Sequence, residues 1–286
     1  MDKYDEMRCR ELRKRIFLTA YKGGMAHLAS SYSCLEILYT LYLKGVMKYD
    51  SGNPGLQERD RLVLSKGHAG LALYSVMCEA GFLEEKELDT FLKPGTHIGG
   101  EPCMRDLKGV EASTGSLGHG LSIAAGMAMA QKMDGLTART YVVLGDGECE
   151  EGTVWEGALS AAAFGLDNLV AVLDCNRIQK MCTVEETIRL ANWKEKWESF
   201  GWAVREADGH DTDELQERLL QENGAGKPLL VIAHTVKGKG VSIMEDDPIW
   251  HFKLPNRKEL RYFIQELGIS EEEMERGSQG AAGIHK

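Results

Sequence analysis

Two oxygen-bearing side chains thirty positions apart, Asp146 and Asn176, carry the most specific chemical suggestion in this chain. Asp146 sits in the triplet Gly145-Asp146-Gly147 and offers a hard anionic oxygen, while Asn176 offers a neutral amide oxygen. With a backbone carbonyl near Ile178 they suit Mg²⁺ or Ca²⁺, which prefer oxygen ligands and keep coordination positions for the phosphates of a ligand. Gly145 and Gly147 would let backbone amides approach a diphosphate closely. The plainer alternative is a glycine-rich strand-to-helix turn with a capping aspartate. Imidazoles supply a second kind of chemistry, proton transfer near neutral pH. His27 and His68 lie in turns that open helices, His97 in a long glycine-rich stretch, and His251 at the end of a basic loop. A loop histidine is most often structural or solvated, so position must argue for each.

The elements that hold these residues are read from apolar patterning. Residues 141–144 predict a buried strand, residues 153–164 an Ala-rich helix, and residues 169–173 a second strand. This is a βαβ unit, so its strands run parallel, with Asp146 and Asn176 at their C-terminal edge. Open α/β sheets bind ligands at that edge. Residues 61–65 predict another strand running into Lys66-Gly67-His68, with a helix from there to about residue 80. Residues 201–207 and 228–235 add two strands, joined by a charged helix over 212–222. The expected fold class is α/β, a three-layer, open, mostly parallel sheet flanked by helices. Outside it, residues 2–22 predict an amphipathic helix. Residues 33–46 predict a long apolar helix, with Ser33 as cap and Glu36 completing a capping box.

Residues 84–92 predict a short acidic helix, and residues 93–120 an irregular, glycine-rich stretch, the kind of long loop that usually has a function. The small-residue helix expected at 121–132 starts from a glycine-rich approach that suits an anion, or simply tight packing. Residues 191–200 predict a helix whose Trp193 and Trp197 belong to packing. Lys237-Gly238-Lys239-Gly240 opens a basic loop, and residues 256–267 predict a further helix. Residues 1–270 are expected to form one domain with its N-terminal helix, and residues 271–286 a flexible polar tail.

Composition narrows the partners. With 43% hydrophobic residues the chain can bury a full core. A net charge of −10 and a pI near 5.4 argue against nucleic acid. No apolar run approaches the roughly 18 residues of a membrane span, and the charged N-terminus lacks the apolar stretch of a signal peptide. Seven cysteines without metal-type spacing suit reduced thiols in a cytoplasm.

Taken in order, five segments resemble the N-terminal, diphosphate-binding (PP) part of the transketolase family, over nearly the whole chain. GGMAHLASS resembles the turn before the family's first long helix, and SKGHAG its SxGH turn. ASTGSLGHG resembles TGPLGQG, with Ser116 for Pro and His119 for Gln. GDG followed by Asn176 is intact, and VKGKGVSIMEDDPIWH resembles the KGKG…H loop, with Phe252 where the family has Gly. The resemblance implies the thiamine diphosphate-binding PP-domain fold, with thiamine diphosphate and Mg²⁺ as cofactors and Ca²⁺ as a substitute. It implies metal ligation by Asp146, Asn176 and the Ile178 carbonyl. Gly115, Ser116, Leu117, Gly147 and Glu148 would contact the cofactor, together with Asp146, Asn176, His68 and His251. His27, His68, His97 and His251 would be catalytic, facing the reacting carbon and the donor's hydroxyls. Glu151 and Glu156 match acidic positions near the family's subunit contact, or are ordinary helix acids.

In the family the cofactor lies between the PP domain and a second, pyrimidine-binding (Pyr) domain. The resemblance therefore implies the first chain of a split enzyme, inactive without a C-terminal subunit that carries the Pyr and C-terminal domains, in an α₂β₂ assembly. The implied reaction moves a two-carbon ketol unit from a ketose, a sugar phosphate or another anionic sugar, to an aldose. Alternatives are a 1-deoxyxylulose-5-phosphate synthase-like or 2-oxoacid-using subunit, or a non-catalytic scaffold.

Overall fold

Strand β2 (Thr140–Gly145) pairs in parallel with β3 (Leu169–Cys175), and the helix Gly152–Ala163 makes the crossover between them. The computed structural model describes residues 1–189, 192–222, 224 and 226–278. Adding β1 (Arg61–Leu64), β4 (Ala203–Asp208) and β5 (Leu229–His234) gives a five-stranded sheet in the order β1-β2-β3-β5-β4. Every pairing between these strands is parallel. All seven residues of β3 are buried, as a strand covered on both faces must be.

Alternation along the strands makes two cores. Tyr141, Val143, Val170, Val172 and Val231 face the helices Lys3–Gly23, Leu35–Leu43, Gly70–Glu79 and Thr212–Leu220. Val142, Leu144, Leu169, Ala171 and Ile232 face the helices Gly120–Met133, Gly152–Ala163 and Trp193–Ser199. Successive side chains point to opposite faces, so one strand serves both layers. On the second face Trp197 is fully buried against Trp202, at 4.8 Å between ring centroids, the packing role expected of it. Residue 191, the expected start of that helix, lies outside the described residues.

Three local expectations change. The apolar helix expected at 33–46 is two helices, Leu28–Ser33 and Leu35–Leu43, parted at Cys34 with no side-chain cap. The capping-box residues have other partners. Ser33 donates to Asp174 Oδ2 (2.6 Å), and Glu36, 2% exposed, receives Arg13 at 2.7 Å and His210 at 3.0 Å. Burial raises the Glu36 carboxyl, but Arg13 and His210 override it and hold it at about 2. Tertiary ion pairing outcompetes a local cap worth about 1 kcal/mol. The acidic helix expected at 84–92 is one turn, Glu85–Leu88, with reciprocal Glu84 and Glu87 caps. The polar tail begins as a helix, Glu271–Ser278, tied to the N-terminal helix by Lys14–Glu273 at 2.9 Å. Residues 279–286 lie outside the described residues. Among the described residues, no helix is long and apolar enough to cross a membrane.

Candidate active site

All five strands end on one edge, and the loops leaving β1, β2, β3 and β5 bring the site together. Asp146 follows β2 as the N-cap of the turn Gly147–Glu150, its Oδ1 accepting from the Gly147 amide at 2.8 Å. Its Oδ2 accepts from the Arg177 amide, so the segment after β3 folds onto it. Asn176 Oδ1 accepts from the Ile178 amide at 3.1 Å, and its amide donates to Asp174 Oδ2 at 3.2 Å. Asp146, Asn176 and Ile178 are all buried at this edge. Burial, then the nearby Asp174, raises the Asp146 carboxyl to about 6, against the two backbone amides that stabilise its charge.

Beneath these groups lies a fully buried ion pair. Lys66, just after β1, donates to Asp174 in β3, whose other oxygen accepts from Thr235 after β5. Burial alone would depress Lys66 and raise Asp174, but each overrides that in the other. The pair joins three strand ends. Glu148 makes a second tie: its carboxylate accepts from the Ser65 hydroxyl, the Gly118 amide (2.8 Å) and the Gly145 amide (3.0 Å). Expected as a cofactor contact, it is committed to the chain's own loops.

Above this floor three imidazoles gather. The His27 ring lies 5.3 Å from His68 and 5.2 Å from His251, and His68 lies 5.7 Å from His251, centroid to centroid. His27 caps the helix Leu28–Ser33, and His68 lies in the turn Gly67–Ala69. His251 lies in the turn Pro248–Phe252. Among the described residues the rings of His27 and His68 have no hydrogen-bond partner; the His27 carbonyl accepts from the Ser31 amide at 3.0 Å. Burial, then Lys237, pushes His27 down to about 4 and His251 down to about 3; burial and Lys66 push His68 well below its usual value. All three rings are neutral at pH 7.

Lys237 links the imidazoles to the oxygens. Its ammonium donates to the carbonyls of Ile178 (2.8 Å) and Gln179 (3.1 Å) and lies 3.0 Å from His251 Nδ1. An ammonium only donates, so His251 Nδ1 accepts and its ring proton sits on Nε2. Burial, then Lys66, lowers Lys237 to about 8.

His97 does not join this group. Its Nε2 lies 2.9 Å from Glu87 Oε1 on a partly exposed surface, where the Glu87 carboxylate uses its other oxygen to accept from the Glu84 amide and leaves Oε1 for the ring. Phe252 does approach, its ring 4.6 Å from His27. The approach to the helix Gly120–Met133 also closes on the site. A Cβ on Gly67, beside His68, would meet the Gly115 nitrogen at 2.7 Å, so the two turns touch backbone to backbone. Gly115 itself has φ +141°, a conformation glycine alone holds easily. Its neighbour Thr114 has a buried hydroxyl with no partner. Ser116 and Leu117 follow in the same turn, where His119 Nδ1 lies 3.0 Å from the Leu117 carbonyl.

A cavity of about 320 Å³ opens among His27, His68, Leu71, Leu92, Glu101 and Phe252. Glu101 was not among the residues expected from the sequence, and its only signal there is its place in the glycine-rich stretch 93–120.

The donor set fits a hard divalent cation: one carboxylate, one amide oxygen and one backbone carbonyl, all buried. The carbonyls of Ile178 and Gln179 already attract an ammonium, as oxygens aimed at a cation would. The glycine turn at Gly115 and the orphaned Thr114 hydroxyl fit a ligand held by backbone. Among the described residues no three His, Cys, Asp or Glu side chains gather as a metal site, so an ion here would rest on that mixed oxygen set.

Residues 17–275 match the family described as "Transketolase, thiamine diphosphate binding domain". An apulose-4-phosphate transketolase subunit of Phocaeicola vulgatus is 38% identical over 276 residues, covering 96% of this chain and 98% of that protein. The 6-deoxy-6-sulfo-D-fructose transketolase subunit SqwG of a Clostridium species is 44% identical over 225 residues, covering 78% and 82%. Among solved structures, the transketolase of Campylobacter jejuni superposes with a TM-score of 0.83 at 27% identity. That superposition covers 99% of this chain and 47% of the solved one, so the chain spans about half the length of that transketolase.

Proposed function

This chain belongs to the transketolase thiamine diphosphate-binding domain family, and on that premise we propose that it is the N-terminal subunit of a two-subunit transketolase. It transfers a two-carbon ketol unit from an anionic ketose, a sugar phosphate or its sulfonated counterpart, to an aldose. The observation that carries this reading is the cluster His27, His68 and His251, neutral and linked through Lys237 to the oxygens beside Asp146. Coverage of nearly the full length of a relative that is itself named as one subunit of a transketolase supports the split arrangement.

Asp146, Asn176 and the Ile178 carbonyl hold Mg²⁺, and the backbone of Gly115, Ser116, Leu117 and Gly147 receives the cofactor. Thiamine diphosphate, when bound, supplies the stabilisation of the donor's carbanion. This chain's own work is positioning and proton transfer. The glycine turns admit the cofactor, and the Leu71, Leu92 and Phe252 side chains limit water in the cavity. His251 holds a proton on Nε2, fixed there by Lys237 at Nδ1. His27 and His68, neutral and unpartnered, can each donate to or accept from a donor hydroxyl. A C-terminal subunit with a Pyr domain completes the site in an α₂β₂ assembly. Seven free cysteines, four of them buried, suit the cytoplasm, where we place it.

Donor choice tests the reading. The chain is assayed with its C-terminal partner, thiamine diphosphate and Mg²⁺, on a ketose phosphate or sulfoketose against pyruvate. Turnover of the ketose by at least tenfold over pyruvate supports ketol transfer. Preference for pyruvate indicates a 2-oxoacid enzyme, and no thiamine-dependent turnover of either indicates a scaffold subunit.

A further inference from the structure

Lys237 fixes the proton of His251, so whatever fixes Lys237 reaches the site without touching it. Its backbone leaves β5 in a glycine-rich loop, and that loop is gripped on either side of the lysine. Before it, the Val236 amide donates to His210 Nε2 at 2.8 Å. After it, the Gly238 amide donates to the Ala29 carbonyl at 3.1 Å, and the Lys239 carbonyl accepts from Arg13 Nε at 2.8 Å. Glu36 joins the outer two grips. One of its oxygens lies 3.0 Å from His210 Nδ1, and Arg13 reaches both oxygens at 2.7 and 2.8 Å. A single cluster, drawn from the helices Lys3–Gly23 and Leu35–Leu43 and from the turn after β4, thus brackets Lys237.

Within the cluster His210 does something that Arg13 does not. A backbone amide only donates, so Nε2 of His210 accepts, and the ring proton lies on Nδ1, where Glu36 receives it. Both nitrogens are engaged, which leaves the ring one orientation. Its main chain is seated as closely. A Cβ on Gly209 would meet Thr235 Cγ2 at 2.3 Å and the His234 carbonyl oxygen at 3.0 Å, so glycine lets the turn lie against the end of β5. The His210 amide then donates to Asp208 Oδ1 at 2.8 Å. Because Arg13 already pairs with both Glu36 oxygens, charge balance does not call for an imidazole. What His210 adds is a rigid link from a buried carboxylate to the residue before Lys237. The nitrogen that carries a histidine's proton is set by the partner of the other nitrogen, so this link extends to His251, whose Nδ1 lies 3.0 Å from the Lys237 ammonium.

Resting on the transketolase reading above, we propose that His210 is a positioning residue: through the Val236 amide it holds Lys237 against His251 Nδ1, and so keeps the His251 proton on Nε2. His210 does not line the histidine cavity, and it carries no proton to the substrate. It acts through the loop alone, so its loss changes turnover more than it changes substrate binding.

The test compares wild type, His210→Gln and His210→Leu. Glutamine has an amide nitrogen to donate to Glu36 and an oxygen to accept from Val236, whereas leucine fills the space with neither. Each full chain, labelled with ¹⁵N at histidine, is read by NMR for its ring tautomers. Each is then assayed with the C-terminal partner, thiamine diphosphate and Mg²⁺ on the ketose donor. Wild type is expected to carry the His210 proton on Nδ1 and the His251 proton on Nε2. His210→Leu loses the fixed His251 tautomer, and its kcat falls by about 10²-fold, as for a catalytic group displaced by about 1 Å, while KM stays within about threefold. His210→Gln keeps the tautomer and a kcat within about threefold of wild type. An unchanged His251 tautomer in His210→Leu overturns the proposal, whatever its kcat, and so does a His210→Gln chain as slow as His210→Leu. Should His210→Leu not fold, the other two chains decide: a wild-type His210 proton on Nε2, or loss of the His251 tautomer in His210→Gln, overturns it. If wild type turns over no ketose, the transketolase reading falls and this inference with it; if wild type does and His210→Leu matches it, this inference alone falls.

Discussion

Lys66 and Asp174 lie beneath the sheet edge tied by hydrogen bonds, whereas the rings of His27 and His68, on the same edge, have no hydrogen-bond partner among the described residues. Asp174 accepts from Lys66, Ser33, Asn176 and Thr235, drawing together the loops after β1, β3 and β5 and the end of the helix Leu28–Ser33. Glu148 does similar work for Ser65, Gly118 and Gly145. These groups are fixed by one another and belong to the fold. The cavity wall is the reverse, with neutral rings, a Glu101 carboxylate that has no partner among the described residues, and a half-exposed Phe252. The contrast separates polar groups used up in holding loops from polar groups left over for a ligand. Burial and a strong charge partner occur in both places, so a perturbed ionisation alone does not tell them apart. Unspent hydrogen-bonding capacity does.

Substitutions on the two sides break this comparison in different ways. Asp174→Ala leaves the Lys66 ammonium buried without its counter-charge and should cost about 3–5 kcal/mol in urea unfolding of the isolated chain. A cost below 1 kcal/mol would mean the floor is not a structural tie. His27→Gln should do the opposite. Stability stays within about 1 kcal/mol, while kcat/KM of the complex falls by about 10²–10⁴; equal loss of stability and activity would erase the distinction. Glu148→Gln keeps the shape but weakens three charge-assisted hydrogen bonds, and should cost about 1–3 kcal/mol of stability.

Acid gives the smallest and most general effect. His27 and His251 ionise at about 4 and about 3 in the folded chain, below the 6.5 of a free imidazole, and His68 shifts the same way. Between those values the unfolded chain binds more protons, so stability rises with pH there. Their contribution is fully present above about pH 6.5 and is lost as pH falls toward 4 and then 3. The urea midpoint should therefore drop between pH 7 and 5, and His27→Gln should flatten that drop. An unchanged slope in the variant would show that other groups dominate.

The sheet was legible because apolar runs such as 169–173 report two-sided burial directly, and a βαβ unit fixes which ends meet. The places of Asp146, Asn176 and His68 at one edge of the sheet followed from the direction of the strands before them, whereas His27 and His251 were singled out by the family resemblance. Expectations failed where a side chain chose a distant partner over a local one. Ser33 and Glu36 carry the spacing of a capping box, but Asp174 and Arg13 claim them across 141 and 23 residues of sequence. His97 lies in the right loop, yet the nearby Glu87 turns it outward. Glu101, four residues on, enters the cavity, and no periodicity inside an irregular loop tells which of two such residues will do so. The same holds for Glu148, whose three partners come from three separate loops.

Ketol transfer by this chain alone, by its C-terminal partner alone and by their mixture, each with thiamine diphosphate and Mg²⁺, bears most directly on a site shared between two chains. We expect activity from the mixture only, rising with added partner to a plateau at equal amounts and abolished by Asp146→Ala in this chain. Turnover by this chain unaided, or an Asp146→Ala mixture as active as wild type, would contradict it.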